Sequence, residues 1–283
     1  MTLDIASFAT PTSAPLKTTT LAVNGSSVIT VSNVAYAVGS FPIISYSGSI
    51  GGTSGFGGLS VALPTGVTGS LVNNSGASVD LNITAIDAIK WNNAATTNLW
   101  NTTDSNWRNS SNANTTYTQN ATGGYSVRFD ETETTASPVA ISIPSTVSPI
   151  NIAVNNPNKD YTFSGAGSIS GSGTLTKDGA GALTYSNTLS FTGNTTINAG
   201  RVTLSGASNT LASGTVSIAS GAYLTYNNSA NTTQGAATSA GMSFTGSGTL
   251  EKKGTNTLVF ANGTGKVNLS LIHISEPTRP RLI

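Results

Sequence analysis

The sequence predicts an all-β fold, a right-handed parallel β-helix or β-solenoid with short Gly/Asn turns, and three observations carry that prediction. Apolar and polar residues alternate in many short segments, most of them led in by glycine or asparagine. One such segment recurs almost residue for residue further along the chain. Charged residues make up 8% of the 283 positions while hydrophobic ones make up 37%, against about 25% charge in an ordinary soluble domain. Disordered chains are rich in charge and poor in β-branched apolar residues, so this chain reads as folded.

The strands can be taken in order. Residues 41–46 (Phe-Pro-Ile-Ile-Ser-Tyr) and 79–84 (Val-Asp-Leu-Asn-Ile-Thr) are short apolar runs with strand periodicity. Trp91, Trp100 and Trp107 follow in an Asn/Thr-rich stretch. Residues 125–130, 139–143 and 150–154 read as strands that continue into 161–163. Then comes the repeat: residues 171–185 (GSGTLTKDGAGALTY) return as 246–260 (GSGTLEKKGTNTLVF). Leu175 matches Leu250, Lys177 matches Lys252, Gly179 matches Gly254 and Leu183 matches Leu258. Between the copies, residues 195–204, 214–218 and 221–226 are further alternating segments set off by glycine. Stacked coils would place Leu175, Leu183, Ile197, Val202, Leu204, Val216, Ile218 and Leu224 inward as aliphatic ladders, with Thr and Ser outward. Glycine and asparagine suit the corners, where positive φ or close approach is needed.

Composition also excludes functions. The net charge of +1 contains no basic block, which argues against nucleic-acid and anionic-membrane partners. Without cysteine there is neither a disulfide framework nor a thiolate metal site. Met1 is followed by Thr2-Leu3-Asp4, with no basic and apolar leader. Residues 269–283 differ in character, holding the only histidine (His273), Pro277, Pro280, Arg279 and Arg281. They resemble the conceptual translation of a transposase-type sequencing-library adapter, so they are set apart from the fold and the chain is expected to be a piece of a longer protein.

From Gly171 to Leu204 the chain resembles the autotransporter-associated (passenger-associated) β-strand repeat. That pattern runs roughly G-x-G-x-L-x-K-x-G-x-G-x-L-x-L, an Asn-Thr-aromatic-Thr-Gly turn, then T-T-I-N-x-G-x-L. Here the turn at residues 187–193 is two residues longer, Tyr185 replaces an aliphatic and Val202 replaces leucine. The resemblance implies four parts. Residues 1–87 would be closing strands of a preceding solenoid block, 88–160 a Trp-containing β spacer or cap, 161–268 the repeat solenoid, and 269–283 the adapter-derived tail. It also implies a structural passenger or stalk segment of a secreted or outer-membrane surface protein of a Gram-negative-type bacterium, either a plain spacer or an adhesive one meeting surface glycans or other cell surfaces.

No residue is assigned a catalytic, cofactor-binding or metal-binding role, and no small-molecule substrate is expected. Between residues 161 and 268 the carboxylates are Asp178 and Glu251 alone, whereas glycan hydrolysis needs a converging pair. With no histidine outside the tail, a Ser-His-acid triad or a histidine metal site cannot be assembled. Asp130, Glu131 and Glu133 form one acidic cluster, either a cation or sugar site or, as preferred here, a solvated turn. The tryptophans are a sugar-stacking platform or a buried cap, the cap being preferred because large aromatics are usually buried. Lys177 and Lys252 are read as outer-face or edge residues that discourage unwanted strand pairing. The alternative to a stalk is a non-catalytic part of a carbohydrate-active β-helix enzyme.

Overall fold

In the computed structural model the described residues are 2–8, 12–34, 37–207, 209–211, 214–234, 243–260, 268–269 and 273–275. The chain forms two compact units, residues 1–88 with 118–126, and residues 89–117 with 127–283. Regular structure among the described residues is strand, apart from one 3₁₀ turn at Gly55–Gly58.

In the first unit, Thr2–Phe8, Ser27–Val34 and Leu59–Ala62 pair in parallel. A second sheet joins Leu16–Lys17, Gly39–Ser45, Ser78–Ile86 and Val67–Asn74 in that spatial order. The segments at 41–46 and 79–84 are strands here and pair antiparallel with each other, while Gly39–Ser45 also pairs in parallel with Leu16–Lys17. The other pairing of Ser78–Ile86 is set locally. The Ala77 N–H donates to the Asn74 carbonyl at 2.9 Å and Gly76 takes a φ of +74°. That tight turn folds Val67–Asn74 back on Ser78–Ile86 as a hairpin. Ile43, Ile44, Val79, Leu81 and Ile83 of this sheet are buried.

The second unit is a β-solenoid of about five turns. One side of the coil, face A, stacks Ser126–Phe129, Asn151–Asn155, Thr174–Asp178, Thr195–Ile197, Thr215–Ile218, Ser243–Gly246 and Asn268–Leu269 in parallel. Face B stacks Val139–Ser142, Tyr161–Ser164, Ala182–Tyr185, Arg201–Gly206, Tyr223–Asn228, Thr249–Lys252 and His273–Ser275. A third, less regular side carries Ser168–Ile169 on Thr188–Leu189, and later Thr232–Gln234 on Leu258–Phe260. The ladders cross residue 160 without a break, so residues 126–160 already contribute rungs to both faces. Residues 268–269, where the repeat meets the tail, and 273–275 within the tail continue faces A and B; residues 270–272 and 276–283 lie outside the described residues. An open solenoid end presents unpaired backbone groups to which any extended segment can add.

Parallel register fixes what lies inside. On face A one inward column is Val127, Ile152, Leu175, Thr195, Val216 and Phe244. On face B one is Val139, Tyr161, Leu183, Val202, Leu224 and Leu250. All eight ladder residues read from the sequence are at most 2% exposed. Burial of a side chain this size stabilises by about 1.5–3 kcal/mol. Neighbours one position along, such as Thr176, Thr184, Thr196 and Thr203, face outward and are half-buried. Leu183→Ala should therefore cost about 2–5 kcal/mol in urea denaturation. Thr184→Ala should stay within about 0.5 kcal/mol, and the reverse order would overturn the inward–outward assignment.

Candidate functional site

The acidic cluster lies in the turn after the first face A rung, and its three carboxylates point to three different tasks. Asp130 is nearly buried; its Oδ1 accepts the Thr132 N–H at 2.9 Å and the Thr132 hydroxyl at 2.5 Å, while Arg128 Nε stands 3.5 Å from Oδ2. Its backbone carbonyl accepts the Tyr161 hydroxyl at 2.5 Å. Glu131 reaches one coil on and accepts the N–H groups of Asn158 at 2.6 Å and Lys159 at 2.7 Å. Desolvation raises the Glu131 pKa, but these donors outweigh it and hold the carboxyl below its usual value. Glu133 has a buried side chain, and its Oε1 accepts from Lys159 Nζ at 3.2 Å. That ammonium also donates to the carbonyls of Glu133 and Thr135. The turn is thus a clamp between successive coils, not the solvated turn of the sequence reading: Asp130 and Glu133 are buried and each carboxylate has a structural partner. Among the described residues no three His, Cys, Asp or Glu side chains converge as metal ligands would.

The lysines overturn the sequence reading outright. Lys177 is 0% exposed and occupies an inward column of face A between Val154 and Ile197. Its stem packs among the aliphatics, and its Nζ donates to the carbonyls of Asp178 at 2.9 Å, Gly179 at 2.7 Å and Ala199 at 3.3 Å. These carbonyls line the corner that leads off face A and need partners there. Burial pushes the Lys177 pKa down to about 8, against the pull of the Asp178 and Asp160 carboxylates. Lys252 sits in an inward column of face B beside Tyr226 and bonds its own corner alike. Lys177 is thus buried rather than at an outer edge, whereas Lys252 is half-exposed.

Asp178 and Glu251, on opposite sides of the repeat's lysine in their two copies, do unrelated things. Asp178 Oδ1 accepts from Asn198 Nδ2 at 2.8 Å, one coil on. Glu251 meets Arg201 and Lys253 on the outside of face B and accepts the Thr225 hydroxyl at 2.9 Å. Arg201 also lies 4.3 Å over the Tyr223 ring. Desolvation raises the Glu251 pKa, but Thr225 and Arg201 prevail and lower it. This cluster staples three successive rungs, and its two oppositely charged partners belong to different coils.

Trp91, Trp100 and Trp107 are each 0% exposed. Trp91 and Trp107 face each other across the antiparallel strands Ala88–Trp91 and Trp107–Arg108, with ring centroids 5.1 Å apart at 86°. Trp100 packs on Trp107 at 5.3 Å, Phe129 at 5.5 Å and Phe163 at 6.0 Å. These strands, with Asn114–Thr115, end the face A sheet next to Ser126–Phe129. Their antiparallel turn-back covers the first rung. A buried indole offers no face to a sugar, so the arrangement is a cap rather than a platform. The loop between Trp91 and Trp107 is held by Asn106, which the sequence reading passed over. Its side chain donates to Thr97 Oγ1 and the Leu99 carbonyl and accepts the Ala95 N–H.

Comparison with protein-family profiles, curated protein sequences and solved structures finds no match to this chain.

Two predictions follow from these environments. A lysine whose folded pKa is depressed binds fewer protons folded than unfolded between about 8 and 10.5, so stability rises with pH there. The buried tyrosines 161, 185 and 226 have raised pKa values and act oppositely above their usual value of 10. Unfolding free energy should therefore climb between pH 8 and 10, by on the order of 2 kcal/mol, and then fall. Lys177→Met should flatten the climb; an equal climb in that variant would refute the assignment. Trp100→Ala should cost about 3–5 kcal/mol, while added oligosaccharides should leave the tryptophan fluorescence of the unaltered chain unchanged.

Proposed function

We propose that this chain is a non-catalytic structural segment, a stalk or passenger piece of a bacterial surface or secreted protein, that holds other parts of its parent at a distance. The observation that carries the reading is where its charges go. In the solenoid, Glu131, Glu133, Lys159, Lys177, Arg201 and Glu251 each bond to a corner or to a neighbouring rung. A chemical site needs such groups to converge on open space instead. The outer rows of Thr and Ser suit a stack exposed to water along its length, and the likeness to passenger-associated repeats supports export.

Within this reading the plain spacer is preferred to an adhesin, because the three tryptophans, the candidates for stacking on glycans, are inside the cap. The alternative, a non-catalytic part of a carbohydrate-active β-helix enzyme, draws no support from the carboxylates, which are spent separately. Two measurements test the proposal. Sequencing of the source gene beyond both ends should reveal an export signal upstream, and more repeats with a barrel or anchor downstream. A short gene closing near residue 283 would remove the support for export. The purified chain should unfold cooperatively, cleave no polysaccharide and bind neither glycan arrays nor cells. Saturable glycan or cell binding would turn the stalk into an adhesin.

A further inference from the structure

The two copies of the Lys-x-Gly repeat do not lie on the same side of the coil. Leu175 and Lys177 belong to face A, where they stack between Ile152 and Val154 on one rung and Thr195 and Ile197 on the next. Leu250 and Lys252 belong to face B, where they stack on Leu224 and Tyr226. The local structure is nevertheless the same in both. Lys177 Nζ donates to the carbonyls one and two residues on, at 2.9 and 2.7 Å; Lys252 Nζ does likewise at 2.7 and 3.0 Å. Gly179 and Gly254 both take left-handed φ, +81° and +77°, where a side chain would be strained. In the first copy this corner leads from face A to face B. In the second it leads from face B to the strand Leu258–Phe260 on the third side.

We infer that the repeat encodes a strand and the corner after it, not a particular side of the coil, and that each copy is displaced by one side relative to the copy before. The physical reason is that every bond shared by the two corners runs from the lysine to its own next two residues. Such bonds carry no information about which side of the coil they close, and an inward column accepts an aliphatic on any side. Successive face A rungs from Leu175 to Thr195, Val216 and Phe244 lie 20, 21 and 28 positions apart, while Leu175 and Leu250 are 75 positions apart. That spacing is about three coils and one further strand. The outward residue of the motif accordingly moves from face A at Thr176 to face B at Glu251.

This display rests on the stalk reading and deepens it. Further copies would set the motif's outward residues on a screw around the stack, returning to a given side once in three copies. A partner lying along one side would gain little avidity from repetition, since it could not engage successive copies at once. Repetition of this kind lengthens a spacer without building a continuous adhesive strip.

The absence of cysteine makes the register directly testable by paired cysteines and mild oxidation with oxidised glutathione. Residues paired across adjacent strands are close enough for a disulfide. Thr225→Cys with Glu251→Cys should bridge, as should Tyr223→Cys with Thr249→Cys, a pair that leaves Glu251 in place. Ser217→Cys with Glu251→Cys should not, although it would if the second copy stacked on face A in phase with the first. The readout is loss of two hydrogens by intact-mass measurement under non-reducing conditions. Bridging of 217 to 251, or failure of both face B pairs, would overturn the displacement. Binding of the unaltered chain to cells would instead sink the stalk reading while leaving the bridging pattern as stated.

Discussion

Each coil of the solenoid must bring its chain back one strand spacing, about 4.8 Å, above where it began, with inward and outward positions in the same phase. Everything else follows from that closure. A slip of one residue on any rung would turn its apolar set to water and its threonines to the core. Variation is therefore confined to the corners. Leu175 pairs with Thr195, while Val216 pairs with Phe244, so one coil is shorter than another although both rungs keep phase.

Closure also explains which polar groups stand inside. Where a side of the coil loses regular strand pairing, a side chain stands in for the missing backbone. Gln234 donates to the Leu211 carbonyl at 2.7 Å and accepts its N–H at 2.9 Å, replacing a ladder bond on the irregular third side. Asn209 caps the carbonyls of Tyr185 and Asn187, and Asn228 caps that of Asn209. Lys177 performs the same office at its corner with an ammonium. These groups meet the requirement that buried backbone be partnered, and they cluster where the chain turns between sides.

The parts legible in the sequence are those that closure makes periodic. Alternation through Leu175, Val202, Leu204 and Ile218 identified strand and inward face together, because parity alone fixes them. The same parity places Lys177 inward, two residues after Leu175, yet the general exposure of lysine argued the other way. The corner carbonyls that reverse the balance come from Asp178, Gly179 and Ala199, and the last lies a coil away. The side occupied by the second copy was illegible for a related reason, since it depends on the summed lengths of three coils rather than on any local motif. The hairpin around Gly76 shows the opposite case, a pairing of neighbouring strands set by the bonds of one local turn. Of the acidic cluster, the sequence revealed proximity but not direction, and direction decides whether carboxylates form a site or a clamp.

Closure in parallel register finally accounts for the composition from which the fold was first suspected. Stacking places each outward position over its counterpart in the next coil, as in the row Thr176, Thr196, Ser217 and Thr245. A charge repeated in such a row would face its like at one strand spacing. At that distance two unit charges repel by about 1 kcal/mol in water and more near a protein surface. Hydroxyls and amides carry no such penalty, and repetition of the coil multiplies the advantage. Outside face B, Arg201 and Glu251 stand on different rungs as an opposite pair and so tie coils together. Scarcity of charge is then a consequence of the stack.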